Sequence, residues 1–240
     1  MTLPASGPIS LSQVQTEFGG ENPISMSEYY RNGPYMTDNN SGVPTGNQIG
    51  MSDLRGTYKA FTVVYEVIGG GGAGGFGVDD GGEGYRGTYA PSGSDSVITF
   101  PDTTITSSGA QGGENCKGNR ATAGENGFAS YYGDGGAGGS LNNYGADAVN
   151  AGSGGGGGGG DSGSLFDSGG CSGGGGQAAT RQAGTYYLAA GGSISINVGS
   201  GGIAAAINYK GGDGAVGYVK LVVDGTEYTY ATAGSYVLTP

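Results

Sequence analysis

Glycines 70, 72 and 75 match the G-x-G-x-x-G pattern of a dinucleotide-binding turn, and they follow an apolar run that ends at Ile68. In a nucleotide enzyme this pattern opens a helix, and the N-terminus of that helix holds the pyrophosphate. Here the chain continues as VDDGGEGYRGTYAPSG, which has no apolar face of helical period. Asp79 and Asp80 also stand where an anionic phosphate would dock. The sequence therefore predicts no nucleotide site.

The chain contains no histidine, which excludes Ser-His-Asp and Cys-His nucleophile systems and histidine metal sites. A pair of carboxylates could still perform acid–base catalysis, as in glycoside hydrolysis. The candidates all lie in glycine- or serine-rich loops, and they are Asp79, Asp80, Glu83, Asp134, Asp147, Asp161 and Asp167. Such positions are typical of solvated turn residues, so we expect no enzyme. The segment GGDGAVGYV lacks the second Asp of a calcium-binding nonapeptide, so we expect no metal and no cofactor.

Cysteine usage and net charge limit the possible partners. Cys116 and Cys171 are the only cysteines, and we expect two free buried thiols rather than a bridge. The net charge is −11, and the nine Lys and Arg residues are scattered, so no basic patch for nucleic acid exists. No stretch approaches the roughly 20 apolar residues of a membrane span, and the N-terminus has no secretory signal. We expect no nucleic-acid partner and no membrane insertion.

Residues 1–56 contain a pattern, I-[SG]-[LM]-S-[QED]-apolar, that begins at Ile9, Ile24 and Ile49. Each copy has an extended apolar pair, followed by a Ser that can N-cap a short helix. The helices are expected to end at glycines, which are Gly19, Gly33 and Gly56. Helices of one or two turns are unstable alone in water. They must therefore pack on each other, on the glycine-rich part or on another protein.

Residues 57–240 alternate between apolar runs and glycine-rich segments, which we call arms. Runs rich in Val, Ile, Thr and Tyr predict strands at 57–68, 96–106, 185–198, 216–223 and 226–238. The arms lie at about 69–77, 109–113, 133–139, 152–160, 169–176, 199–202 and 211–214. This alternation predicts two parts, an N-terminal segment of short helical repeats at 1–56 and a glycine-rich domain at 57–240.

The arms are unsuited to helices, because Gly costs roughly 1 kcal/mol per residue relative to Ala. They can adopt polyproline-II geometry, with three residues per turn and a rise of about 3.1 Å. Neighbouring arms can then hydrogen-bond, since only Gly lets backbones approach so closely, and nearly every buried amide must be paired. We therefore expect a mostly β and irregular fold with short helical turns at the N-terminus. The glycine-rich domain would combine β-strands with packed polyglycine-II arms.

Aromatic and apolar side chains in the loops between arms are candidates for receptor binding. They are Phe128, Tyr131, Tyr132, Tyr144, Leu165 and Phe166. Aromatic residues on loops of a rigid scaffold give a large contact area at low entropic cost. The alternative is that they fold back and cover the ends of the arms. Candidates for assembly contacts in the N-terminal segment are Val14, Phe18, Tyr29, Tyr30 and Leu54.

Two parts of the chain resemble phage proteins. The segments PISLSQVQTEFGGENPISMSEYYRNG and VPTGNQIGMSDLRG resemble a short module that recurs in tailed-phage structural proteins. The remainder, from VVYEVIGGGGAGG to GGDGAVGYVKLVVDG, resembles the glycine-rich domains of adhesins at the tips of long tail fibres. In those adhesins, glycine-rich arms form a polyglycine-II sandwich, and variable loops bind an outer-membrane receptor.

The resemblance implies a bacteriophage tail-fibre tip protein that is made in the host cytoplasm and carried on the virion. Its expected partners are tail-fibre or tail structural proteins, bound through residues 1–56, and a host cell-surface receptor that is a protein or a glycan. A trimer, or a monomer on a trimeric fibre, is expected. Two alternatives remain open: a virion structural or decoration subunit without a receptor role, and a glycan-cleaving tail protein.

Overall fold

The computed structural model describes residues 2–37, 39–78, 87–116, 123–155, 157–158, 171–207 and 209–240. Their regular secondary structure is mostly antiparallel β, with one short α-helix and two short 3-10 helices. The predicted mostly β class is confirmed. No helix of the described part has the length and apolar character that crossing a membrane needs.

The described strands form two four-stranded antiparallel sheets. They are β1 Ala60–Ile68, β2 Ser96–Thr99, β3 Thr104–Ser107, β4 Arg181–Ala189, β5 Ile194–Val198, β6 Tyr218–Val223, β7 Thr226–Tyr230 and β8 Gly234–Leu238. The first sheet has the order β4-β1-β6-β7, and the second has the order β3-β2-β5-β8. Three of the predicted runs, at 96–106, 185–198 and 226–238, are each two strands. The break in the second run comes at Gly191, whose φ of +80° ends the extended conformation.

The two sheets share one apolar core. Strand β5, with the sequence ISINV, buries Ile194, Ile196 and Val198 and turns the residues between them outward, as the two-residue period of a strand requires. Side chains of β1 and β6 meet this set from the other sheet, and the Phe100 ring stacks on Tyr186 with 4.0 Å between ring centroids. Each fully buried aliphatic side chain contributes about 1.5–3 kcal/mol, so this core is a main source of the stability of the sandwich.

The arms extend the sandwich at one end. In the structure they cover 69–78, 87–95, 108–116, 123–128, 133–139, 145–148, 152–158 (residue 156 aside), 171–179, 199–204 and 209–217, and they belong to neither helices nor ladder-paired strands. Arm 69–78 continues from β1, while arms 171–179 and 209–217 lead into β4 and β6, the antiparallel partners of β1. These three arms therefore leave the same end of the first sheet. The second sheet has the same arrangement: the arms next to β2, β3 and β5 all lie at one end of it, and they are 87–95, 108–116 and 199–204.

Arm 69–78 hydrogen-bonds to its neighbours with a three-residue recurrence. Successive N–H groups donate to three different arms in turn. Residues three apart donate to the same arm, at N···O distances of 2.8–3.1 Å. The donors to arm 209–217 are Gly71, Gly74 and Gly77; those to arm 171–179 are Gly72, Gly75 and Val78; those to arm 87–95 are Gly70 and Ala73. Its carbonyls accept from arms 108–116, 152–158 and 199–204. The central arm is thus bonded on all sides.

This close packing requires glycine. A Cβ added at Gly71 would lie 1.9 Å from the Ser153 carbonyl oxygen, and one at Gly157 would lie 2.0 Å from that of Gly173. Both contacts are with backbone atoms, which cannot move aside without separating the arms. The glycines are therefore what allows neighbouring backbones to bond directly.

The N-terminal segment begins with helix α1, Leu11–Phe18, and continues with 3-10 helices at Met26–Tyr29 and Met51–Leu54. The N-caps are Ser10, Ser25 and Gly50. Each lies two residues before the Ser that the repeat predicts as the N-cap, so the predicted cap positions are wrong. Ser10 is extended and forms a capping box with Gln13, which leaves the next residue helical rather than extended. The end of α1 before Gly19 is confirmed, whereas the other two helices are shorter than predicted.

The N-terminal segment has its own apolar core, separate from that of the sandwich. Its buried residues are Leu3, Val14, Phe18, Tyr29, Met36, Val43 and Leu54. Four of the assembly candidates are among them, and they are buried within their own segment rather than available to a partner. The fifth, Tyr30, donates its hydroxyl hydrogen to the Asn47 carbonyl. An assembly role for the segment stays a prediction, and the described surface around this core would carry it.

Cys116 and Cys171 form a disulfide, with 4.8 Å between their Cα atoms, so the prediction of free thiols is wrong. The two residues meet because their arms both border arm 69–78: the Cys116 N–H donates to Phe76, and Cys171 exchanges two backbone bonds with Val78. Phe76 and Val78 pack with the two cysteines in a small apolar cluster. Pairing across a separation of 55 residues follows from the arm arrangement, which the cysteine spacing does not reveal.

Candidate recognition site

The backbone hydrogen bonds show in which direction each arm runs. Along arm 108–116 the donors are Ala110, Gly113 and Cys116, and their acceptors on arm 69–78 rise in number in the same order. Arms 108–116 and 69–78 therefore run parallel, away from the sandwich. Arms 171–179 and 209–217 run back, since their acceptors descend in number along arm 69–78. The turns between arms therefore alternate between a proximal end, next to the sandwich, and a distal end, away from it.

The turn 129–132 lies at the proximal end, where it is fastened to the first sheet. The Tyr132 hydroxyl donates to Glu66 Oε1 at 2.7 Å, and its ring meets the Tyr218 ring edge-on with 4.8 Å between centroids. Arg181 donates to both Glu66 carboxylate oxygens, at 2.7 and 3.1 Å. Its guanidinium also lies 4.3 Å from the centroid of the Tyr131 ring. This network joins the arms to the sandwich.

The charges of this network reinforce one another. The hydrogen bonds from Arg181 hold the pKa of Glu66 below its ordinary value, and Glu66 in turn raises the pKa of Arg181. Burial, and then the hydrogen bond to Glu66, raise the pKa of the Tyr132 hydroxyl. At neutral pH the carboxylate and the guanidinium are both charged and the phenol is protonated, so every hydrogen bond of the network is made.

Three of the receptor-binding candidates thus lie at the proximal end. Tyr132 is largely engaged by Glu66 and Tyr218, which matches the alternative that it covers the end of the arms. Phe128 and Tyr131 remain 51% and 66% exposed. The structure does not bring these residues together with Tyr144, which lies at the distal end.

The distal end carries exposed apolar side chains on its turns. Tyr144, which is 67% exposed, lies in the turn between arms 133–139 and 145–148. Leu141 lies in the same turn, and Ile207 lies in the turn after arm 199–204. Leu165 and Phe166 lie outside the described residues. Leu141 and Ile207 are absent from the sequence-based candidates, although a large aliphatic residue in a short polar or alanine-rich turn between arms would have identified both.

The described turn 140–144 at the distal end carries polar amide groups and apolar side chains. Turn 140–144 has the sequence SLNNY, which supplies amide, aromatic and aliphatic groups and no charge. Of the carboxylate candidates, Asp147 accepts a hydrogen bond from the Asp213 N–H at 2.7 Å, which gives it a structural role. Asp79, Asp80, Glu83, Asp161 and Asp167 lie outside the described residues. Across the part that the structure describes, no group of three or more His, Cys, Asp or Glu side chains could hold a metal ion.

No family model, no curated protein and no solved structure matches this chain.

Proposed function

We propose that the protein is a non-enzymatic adhesin of a tailed bacteriophage, which binds a host cell-surface receptor through the distal turns of packed polyglycine-II arms. The three-residue recurrence of the hydrogen bonds supports the arm geometry, because three residues per turn is the period of polyglycine II. The bonding of arm 69–78 to neighbours on all sides supports a packed lattice rather than isolated extended segments.

A lattice of this kind is suited to display. Fixing a residue costs about 1–2 kcal/mol of conformational entropy, and in the arms this cost is met by backbone hydrogen bonds in place of side-chain burial. Turns held between such arms are already ordered before a partner binds. Little affinity is then lost to ordering them, as with other preorganised binding surfaces.

The observation that carries the proposal is the distance between the N-terminal segment and the distal turns. The Lys59 N–H donates to Glu17 Oε1 at 2.8 Å, so the N-terminal segment contacts the chain just before β1 begins. Arm 69–78 leaves the opposite end of β1 and extends for about 28 Å, given nine rises of about 3.1 Å between its ten residues. The segment that resembles a phage structural module and the distal turns, which carry Leu141 and Tyr144, are therefore at opposite ends.

Binding of the purified protein to bacterial cells tests the proposal. We expect the fluorescently labelled protein to bind one host strain saturably and to block adsorption of the virion that carries it. Loss of binding after protease treatment of the cells would identify a protein receptor, and loss after periodate would identify a glycan. Absence of saturable binding to any strain that the virion infects would contradict the proposal and favour the structural or decoration subunit. Release of sugars from the cell surface would favour the glycan-cleaving alternative.

A further inference from the structure

An open groove runs along the side of the arms, between arms 108–116 and 171–179. It has a volume of about 240 Å³, and Gly112, Gly113, Gly174 and Gly175 form much of its lining. Side chains border it, among them Tyr89 and Gln177. Because glycines line both walls, no side chain from these positions fills the space between the two arms.

Two N–H groups of arm 108–116 that lie three residues apart remain available to a partner. Residues 110, 113 and 116 donate to arm 69–78, and the carbonyls of Gln111 and Glu114 accept from Gln177 and Gly174. The N–H groups of Gln111 and Glu114 have no hydrogen-bond partner among the described residues. They are three residues apart, so in a three-residue period they point in one direction.

Arm 171–179 leaves a matching set of acceptors. The carbonyls of residues 171, 174 and 177 accept from arm 69–78, and those of 173 and 176 accept from arm 123–128. The carbonyls of Gly175 and Ala178 have no partner within the described part of the chain. Since each residue turns the backbone by about a third of a turn, these carbonyls and the Gln111 and Glu114 N–H groups converge on the groove.

We propose that this groove binds a glycine-rich extended segment of a partner chain, which adds one more arm to the lattice. The segment would accept hydrogen bonds from Gln111 and Glu114 and donate to Gly175 and Ala178, as a strand does when it extends the edge of a sheet. It must have glycine where it faces the two arms. A Cβ at Gly113, between these same arms, would lie 2.1 Å from the Gly174 carbonyl oxygen. This inference concerns assembly and does not depend on the host-binding role.

The test is a titration of the full-length protein with a peptide of repeated Ser-Gly-Gly units, followed by amide NMR. Because the bound segment would have three residues per turn, all serines of this peptide would lie on the side that faces away from the two arms. We expect the Gln111 and Glu114 amide signals to shift, and a peptide of repeated Ser-Ala-Ala units to have no effect. Gln177→Trp should reduce the affinity at least tenfold, because the indole would fill the groove. Gln182→Trp, which changes an exposed glutamine of β4 in the same way, should not.

The same titration can overturn the proposal. Equal binding of both peptides, no shift with either, or unchanged affinity of the Gln177→Trp variant would each contradict it. A shift with chitotriose but not with the glycine peptide would assign the groove to sugars instead. If Gln177→Trp does not fold, Gln111→Trp at the opposite wall is the second variant, and the same loss of affinity is expected.

Discussion

At the scale of single residues, the arms depend on the missing side chain of glycine. We expect Gly157→Ala to destabilise the protein by several kcal/mol or to prevent folding. The new methyl group would lie 2.0 Å from the Gly173 carbonyl oxygen, and the backbone cannot relax without breaking hydrogen bonds on both arms. Urea unfolding of the variant and the wild type measures the difference.

Gly46→Ala is the matched control for this change. Nothing lies within 4 Å of a Cβ added at Gly46, and surface substitutions of this kind usually change stability by no more than about 0.5 kcal/mol. Equal stability of Gly157→Ala and Gly46→Ala would contradict the close backbone packing of the arms.

The Glu66–Arg181 pair makes stability depend on pH. Because the folded-state pKa of Glu66 is lowered, its contribution is present above the ordinary glutamate pKa and is lost as the pH falls through the lowered value. We expect Glu66→Gln to cost up to about 1 kcal/mol at pH 7, and the difference from the wild type to disappear in strongly acidic solution. Urea unfolding at both pH values measures this. Glu227→Gln, at a pair whose carboxylate is 53% exposed, should show a smaller effect, and an equal one would contradict the role given to the network.

Residue-level predictions from sequence succeed where the reason is local. Close approach of two backbones needs glycine, and this is a property of the residue itself. The glycine-rich runs therefore indicate packed segments outside helices and strands. The Cys116–Cys171 bond and the Tyr132–Glu66 contact depend on which arms are neighbours, and that order is decided by long-range backbone pairing.

At the scale of elements, the strands and arms are continuous. The apolar runs predicted as strands lie in the sheets, because alternation of Val, Ile and Thr with polar residues reports which face is buried. The sequence does not predict that the runs at 96–106, 185–198 and 226–238 are each two strands, since short turns within β-rich runs leave little signal. Of these three pairs, only β2 and β3 form a hairpin, because β4 and β5, like β7 and β8, lie in different sheets. The predicted helix starts differ from the observed ones by two residues, because each of the first two repeats has two serines, separated by one residue, that can serve as the cap.

The N-terminal segment should be separable from the rest. The sandwich core and the N-terminal core share no residues, and the described hydrogen bonds between the two parts are few, such as that from the Lys59 N–H to Glu17. We expect a 57–240 fragment to fold and to unfold cooperatively near the wild-type temperature, as circular dichroism would show.

The same fragment tests the attachment role. It should fail to join virions when supplied in place of the full-length protein, whereas full-length protein with the change Gln182→Ala, at an exposed residue of β4, should join them. Incorporation of the truncated fragment would place the attachment surface elsewhere in the chain.

At the scale of the whole molecule, the central claim is that host recognition lies at the distal end of the arms. Its most direct measurement compares cell binding by two double variants. Leu141→Ala with Tyr144→Ala removes apolar contacts from a distal turn, and Phe128→Ala with Tyr131→Ala removes exposed aromatic rings from the proximal end. A buried aromatic anchor typically costs about 2 kcal/mol when truncated, roughly thirtyfold in affinity. We expect the distal variant to lose cell binding by that factor or more with its thermal stability unchanged, and the proximal variant to bind normally. Normal binding by a folded distal variant together with loss in the proximal one would contradict the claim.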